Sequence, residues 1–139
     1  GGSRAGMKPH VLDASALLAL LHQEPGWETV RDLLLLENHV ISSVNVAEVV
    51  AKAREGGIPL AEVDALLASL NLHVRAFDTP QALIAGDLRP ATRAAGLSLG
   101  DRACLALALS LGGTAVTADR AWQEVPELPV PILNIRPSA

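Results

Sequence analysis

The feature of this sequence that most constrains its fold is a regular alternation of short apolar runs with longer helical patterns. Strand-length runs rich in β-branched residues occupy residues 10–13, 39–42, 73–77 and 114–118, and VPILNI near the end is a candidate fifth strand. Strands separated by helices of this length are typical of parallel sheets. The alternation therefore predicts one α/β domain, a three-layer α/β/α sandwich with a mostly parallel central sheet.

Helix signals fill the intervals between the predicted strands. The predicted helices cover residues 14–22, 27–37, 43–55, 60–71 and 98–111. Breakers such as Pro25-Gly26 and Gly112-Gly113 close two of them. Thr79-Pro80 is expected to begin one more helix, with Thr79 as its N-cap and proline in the first turn.

Composition excludes several classes of protein. The chain has 139 residues, enough for one domain with a sizeable core. Cys104 is the one cysteine, so a disulfide framework within the chain and a cysteine zinc cluster are excluded, and we expect a buried thiol. The four histidines lack paired spacing, which excludes a typical zinc-hydrolase motif. Aromatic residues make up 2%, which argues against a base-stacking platform, and a net charge of -4 argues against a general DNA-coating protein.

The two ends of the chain contribute to the expected domain bounds. Residues 1–6, GGSRAG, have the composition of an expression-tag remnant, so we assign the domain to residues 7–137. No secretory signal follows, and no apolar run is long enough to cross a bilayer. We therefore expect a cytoplasmic protein that does not interact with membranes.

Four acidic residues stand where a parallel sheet of this kind places its ligand crevice. Asp13 ends the first predicted strand, Asp119 follows the fourth, Glu48 lies in the helix after the second strand, and Asp101 begins an apolar helix. Each has an ordinary structural alternative: helix N-capping for Asp13 and Asp119, a solvent-exposed pair with Lys52 for Glu48, and a capping box for Asp101. We expect all four to face one crevice.

A crevice with four carboxylates would require cations. Two carboxylates ~5 Å apart repel by about 3 kcal/mol at an effective dielectric constant near 20. Oxygen ligands without histidine or cysteine favour hard ions such as Mg²⁺ or Mn²⁺. Metal-assisted hydrolysis of a phosphodiester is the chemistry that such a set would support.

The segments around these acids resemble a known family. VLDASALLALLHQEPG, SSVNVAEVVAK, LSLGDRACLALAL and TAVTADRAW are similar, in order and spacing, to the four acidic motifs of PIN-domain ribonucleases, and most of all to VapC toxins of bacterial toxin–antitoxin pairs. The resemblance runs from Met7 to about Ile135. It implies an endoribonuclease dependent on Mg²⁺ or Mn²⁺, in a fold with a central parallel sheet and helices on both faces.

The resemblance also implies roles for individual residues. Asp13, Glu48, Asp101 and Asp119 would be the catalytic, metal-binding acids, with Ser15, Asn45 and Thr117 as accessory residues at positions that are often polar in the family. One position departs from the pattern. Some members carry a further acid where this chain has Ala121, which leads to the hypothesis that one ion is bound firmly and a second arrives with RNA.

Proteins of this kind are homodimers that a small antitoxin holds inactive. The resemblance therefore implies three partners: an antitoxin, RNA and a second copy of the chain. The apolar helices at residues 27–37 and 63–70 offer candidate contact surfaces, although much of each helix is expected to face the core. Arg102 and Arg120, each directly after a site acid, are candidate contacts to RNA phosphates.

Two other functions compete with this interpretation. A receiver or phosphatase domain would need a second carboxylate close to Asp13 in sequence and a lysine at a later strand end, and neither is present. A PIN-like module that binds RNA or an antitoxin without cutting is the stronger alternative. The presence of all four acids argues against it.

Overall fold

A computed structural model describes residues 8–136, which form five strands, seven α-helices and one short 3₁₀ helix. The strands are β1 (His10–Leu12), β2 (His39–Ser42), β3 (Val74–Arg75), β4 (Thr114–Thr117) and β5 (Ile132–Asn134). The helices are α1 (Ala14–Leu21), α2 (Trp27–Leu34), α3 (Ser43–Glu55), α4 (Leu60–Ser69), α5 (Thr79–Asp87), α6 (Arg89–Thr92) and α7 (Leu99–Leu111), and the 3₁₀ helix covers Arg120–Glu124.

The sheet is parallel throughout, and its strand order creates a crevice beside β1. The order is β3-β2-β1-β4-β5, so β1 is central, with His10 opposite both His39 of β2 and Thr114 of β4. After β1, the chain adds β2 and β3 on one side of β1. It then returns to the other side of β1 with β4 and β5. In parallel sheets, ligands bind outside the carboxyl ends of the strands at such a reversal.

Helices cover both faces of the sheet, because the side chains of each strand alternate. Val11 and Ala115 pack in a cluster with Cys104 of α7 on one face. Leu12 and Val116 pack on the other face, against α1 and α2. This alternation confirms the predicted three-layer sandwich. Cys104 is fully buried, as expected for a structural thiol.

The start of α5 differs from the prediction. Asp78, not Thr79, is the N-cap: its backbone is extended, and its carboxylate accepts a hydrogen bond from the amide of Gln81 at 3.1 Å. Thr79 is already the first helical residue. Asp and Thr both make good caps, so two adjacent candidates cannot be ranked by residue type alone.

Several element lengths also differ from the prediction. β3 has two residues, both exposed, and lies at one edge of the sheet, where it pairs with β2 alone. α2 ends at Leu34 rather than at residue 37, and neither α6 nor the 3₁₀ helix was predicted. The predicted tag and the outermost residues of the assigned domain lie outside the described residues. Among residues 8–136, the longest helices have 13 residues, and none has the length and apolar character needed to cross a membrane.

The turn between α1 and α2 makes a close contact with the end of β5, which predicts an effect on stability. Gly26 has φ +93°, and a Cβ there would lie 2.5 Å from the carbonyl oxygen of Ile135. Gly57 has a similar φ of +88° but nothing within 4 Å. Gly57→Ala should therefore lower the free energy of unfolding by about 1 kcal/mol, from backbone strain alone. Gly26→Ala should lower it by about 2 kcal/mol more, because of the overlap with Ile135.

Urea unfolding of the two variants and the parent chain measures this difference. Since both variants carry the same strain, equal losses of free energy of unfolding would show that the contact with Ile135 is unimportant.

Candidate functional site

Asp13 is a buried carboxylate at the carboxyl end of the central strand. It is 1% exposed and directly follows β1. Its Oδ1 accepts hydrogen bonds from the amide of Ala16 at 2.8 Å and from the hydroxyl of Ser15 at 2.7 Å, and its Oδ2 accepts one from the hydroxyl of Thr117. Asp13 is therefore the N-cap of α1, the structural role that the sequence offered as an alternative to a site residue. Its carboxylate nevertheless lies at the carboxyl edge of the sheet, where a ligand crevice is expected.

Burial changes the protonation of Asp13. Loss of water around the carboxylate raises its pKa from 3.8 to about 7, although the hydrogen bonds from Thr117, Ala16 and Ser15 act in the opposite direction. Repulsion from Asp101 adds to the rise. A cation bound nearby would favour the ionised form, because opposite charge stabilises a carboxylate.

The hydroxyls of Ser15 and Thr117 connect the two central strands around Asp13. The amide of Ala118 donates to Ser15 Oγ at 2.9 Å, and the amide of Asp119 donates to Thr117 Oγ1 at 3.0 Å. Each hydroxyl thus accepts from the segment that follows β4 and donates to Asp13. These contacts fix the orientation of the Asp13 carboxylate.

Asn45 links Glu48 to the beginning of α7. Asn45 is fully buried, and its amide nitrogen donates to Glu48 Oε1 and to the carbonyl oxygen of Gly100, both at 3.0 Å. Burial raises the pKa of Glu48, the bond from Asn45 lowers it, and repulsion from Asp101 raises it further. Glu48 is therefore held by Asn45, and no ion pair with Lys52 is found among the described residues.

Gly100 permits α7 to approach this carboxylate. A Cβ at Gly100 would overlap the Glu48 carboxyl group, so no side chain fits there without displacing Glu48. Gly100 was not among the predicted site residues. The available signal was a glycine in the first turn of a long apolar helix, where most other residues would stabilise the helix better.

Asp101 and Asp119 complete the set of acids, and both also stabilise the start of a helix, Asp101 at the third helical position and Asp119 as an N-cap. Asp101 forms a capping box with Ser98: its Oδ2 accepts from the amide of Ser98 at 2.8 Å, and its own amide donates to Ser98 Oγ at 3.2 Å. Asp119 accepts from the amide of Ala121 at 2.8 Å and begins the 3₁₀ helix. Burial raises the pKa of Asp101, the contacts with Ser98 lower it, and repulsion from Asp119 raises it.

Asp101 connects the four acids electrostatically. The charge of Asp101 raises the pKa of Asp13 and of Glu48, and the charge of Asp119 raises the pKa of Asp101. Within residues 8–136, however, no three carboxylates converge closely enough to form a complete ligand shell. The donor set consists of carboxylate and hydroxyl oxygens, which fits Mg²⁺ or Mn²⁺ in chemical type.

The two candidate arginines differ in their surroundings. Arg102 is half-buried, and its Nη1 donates to the carbonyl oxygen of Ala85 at 2.9 Å, which ties it to α5. Arg120 is exposed beside Asp119 and makes no hydrogen bond or ion pair with the part of the chain that the structure describes. Arg120 is thus the freer of the two to bind an anion.

Similar folds occur in several solved structures. The DNA-bound VapBC from Salmonella typhimurium matches with a TM-score of 0.71 and 21% identity, over 93% of this chain and 99% of that chain. VapBC2 from Rickettsia felis, bound to a DNA fragment from its promoter, matches with a TM-score of 0.69 and 18% identity, over 90% and 97%. FitAcB from Neisseria gonorrhoeae matches with a TM-score of 0.64 and 21% identity, over 91% and 97%. At these identities the likeness establishes a shared fold.

The family is established from the sequence. A search of curated protein sequences gives no significant match. The sequence model of the PIN domain, in contrast, matches residues 10–128, which includes β1 through the end of the 3₁₀ helix and all four acids. The match covers most of the chain, and the parallel sheet agrees with it. This chain belongs to the PIN domain family.

Proposed function

We propose that this protein is a divalent-metal-dependent endoribonuclease that acts as the VapC-type toxin of a toxin–antitoxin pair. The observation that carries the proposal is the buried Asp13 at the carboxyl end of the central strand, coupled through Asp101 to Glu48 and Asp119. Nuclease activity is typical of PIN domains, and similar folds occur in VapBC structures.

The four acids are proposed to hold Mg²⁺ or Mn²⁺, with Asp13 and Asp101 as the main ligands and Glu48 and Asp119 in support. Such an ion, when bound, supplies Lewis-acid chemistry: it polarises a phosphoryl oxygen and makes water more acidic. We keep the hypothesis of one firmly bound ion and a second that arrives with RNA, because Ala121 stands where some relatives have an acid. Metal titration by calorimetry that finds two tight sites without RNA would contradict it.

The neighbouring side chains have supporting roles in this proposal. Ser15 and Thr117 orient the Asp13 carboxylate, and Asn45 orients Glu48 towards α7. Arg120, and less directly Arg102, would contact phosphates of the RNA. These cations would offset part of the negative charge that the RNA meets as it approaches the acids.

The proposed partners are an antitoxin and a second copy of the chain, in the cytoplasm. Between α2 and α4, an apolar groove of about 590 Å³ is bordered by the exposed side chains of Leu35 and Leu66, while Leu33 and Val63 of the same helices face the core. This groove lies on the helices whose surfaces the sequence suggested for such contacts. We propose it as a contact surface for one of the two partners.

Replacement of Asp13 tests the proposed chemistry. Asp13→Asn keeps a side-chain oxygen to cap α1 but removes the charge that would hold the metal, so the rate of Mn²⁺-dependent cleavage of a fluorophore–quencher RNA should fall at least about 100-fold. Asp64→Asn, an exposed carboxylate of α4, is the matched control and should cleave at the parental rate.

Two outcomes would contradict the proposal. Full activity of the Asp13→Asn variant would show that this carboxylate is not part of the reaction. Binding of RNA by the parent chain without any cleavage in Mg²⁺ or Mn²⁺ would favour the catalytically silent binding module instead.

The raised pKa of Asp13 predicts how metal and pH affect stability. In a chelator, the folded state retains a proton that the unfolded state releases between pH 3.8 and about 7, so the free energy of unfolding falls as pH rises through this interval. At pH 8, Asp13→Asn should therefore be more stable than the parent by about 1–3 kcal/mol, and this advantage should shrink towards pH 4. Thermal unfolding followed by circular dichroism measures the difference.

Added Mn²⁺ should reverse that order. At a concentration of about 100 times the Kd, a metal that binds only the folded state stabilises it by about 2.7 kcal/mol, and the Asp13→Asn variant should gain much less. An equal rise in Tm for both proteins would show that the metal binds elsewhere.

The contact between Gly100 and Glu48 gives a test of Glu48. Gly100→Ala should displace the Glu48 carboxylate and lower metal-dependent cleavage by about tenfold, since a shift of one positioning group by about 1 Å has effects of that order or larger. Gly86→Ala in α5 meets nothing within 4 Å and should retain the parental rate. An unchanged cleavage rate in the Gly100→Ala variant would show that Glu48 is not part of the proposed site.

A further inference from the structure

A cleft of about 900 Å³ opens beside Asp119, one of the four proposed site acids. Ser15 and Asp119 line its inner end, so it is continuous with the site already described. Its outer walls are the turn at residues 24–25, Arg120, and the end of the chain at residues 135–136. Any ligand in this cleft would therefore extend away from the site of the proposed reaction.

Arg136 is held rigidly in the wall of this cleft. Its Nε donates to the carbonyl oxygen of Pro25 at 3.2 Å, and its Nη2 lies 3.3 Å from Glu24 Oε1. Its backbone amide donates to Asn134 Oδ1 at 2.8 Å, and Asn134 Nδ2 in turn donates to the carbonyl oxygen of Asp119 at 3.1 Å. The Arg136 backbone is thus linked to Asp119 through Asn134, and its guanidinium contacts the turn at residues 24–25, with the side chain 29% exposed.

The cleft combines two arginines with a route to the acids. Arg120 has no ion-pair partner among residues 8–136, and Arg136 shares its charge with one half-exposed carboxylate. Arginine matches the geometry of phosphate oxygens and binds them through paired hydrogen bonds. Apart from Asp119, the charged residues that line the cleft are two cations, Arg120 and Arg136, and one anion, Glu24. The two cations favour the approach of RNA, which the adjacent acids alone would repel.

We infer that this cleft binds the backbone phosphate of RNA next to the one that is cleaved, with Arg120 and Arg136 as its cationic walls. The inference rests on the proposed nuclease function and adds a substrate subsite to it. Glu24 pairs with the Arg136 guanidinium and does not contact RNA, so it competes with the phosphate for that charge.

Binding of a labelled single-stranded RNA of mixed sequence, followed by fluorescence anisotropy with Ca²⁺ in place of Mn²⁺, tests the inference. Arg136→Gln should raise the Kd about tenfold and lower the slope of log Kd against log salt concentration by about 0.7, the loss expected for one phosphate contact on a single strand. Arg136→Lys should recover part of the affinity, because it restores the charge without the paired geometry.

Matched variants separate RNA binding from a structural role of Arg136. Glu24→Gln breaks the same ion pair but leaves the arginine, so it should bind RNA at least as tightly as the parent chain. Arg120→Gln removes no contact within the described residues and should raise the Kd by a similar factor to Arg136→Gln. Arg31→Gln, which replaces an exposed arginine paired with Asp32 on α2, should bind like the parent.

Each result distinguishes this inference from the proposed function. If the parent chain cleaves RNA with Mn²⁺ but the Arg136→Gln and Arg120→Gln variants bind like the parent, the subsite is wrong and the nuclease function stands. If Glu24→Gln weakens binding as much as Arg136→Gln, the role of Arg136 is structural and the inference fails. It also fails if Arg136→Gln weakens binding of an acidic peptide but not of RNA, since the cleft would then serve a protein. A parent chain that neither binds nor cleaves RNA contradicts both proposals.

Discussion

The structure depends on the placement of one carboxylate, Asp13, in the interior at the end of the central strand. Desolvation of a carboxylate is costly, and the chain offsets that cost with three hydrogen bonds from Ser15, Ala16 and Thr117. Those bonds require β4 to lie directly beside β1 and α1 to begin at Asp13. The hydrogen bonds to this buried carboxylate are therefore possible only with a strand order that places β4 next to β1.

Much of the fold could be predicted because local signals agreed with one another. Apolar runs identified the strands, glycine pairs closed the helices, and helical connections implied parallel pairing. Predictions were wrong where two local signals had similar strength, as for Asp78 and Thr79 at the start of α5. They were also wrong at β3, where only two of the residues predicted as a strand at 73–77 pair with β2.

The site was predictable as a set of residues but not as a set of contacts. The acids could be found because they stand at strand ends or helix starts. The importance of Gly100 depends on the approach of α7 to Glu48, residues 52 positions apart, and no local pattern encodes that distance. Arg136 is similar: its neighbours Glu24 and Pro25 lie at the other end of the chain.

Asp13 and Asp119 are helix N-caps as well as proposed site acids, which has an evolutionary consequence. Asparagine is as good a helix cap as aspartate, and one nucleotide change converts one codon into the other. A lineage could therefore lose the charge at Asp13 in a single mutational step while keeping the sheet, the helices and the rest of the surface. Selection for folding alone would not oppose that step, because the loss of this buried charge is expected to stabilise the metal-free fold.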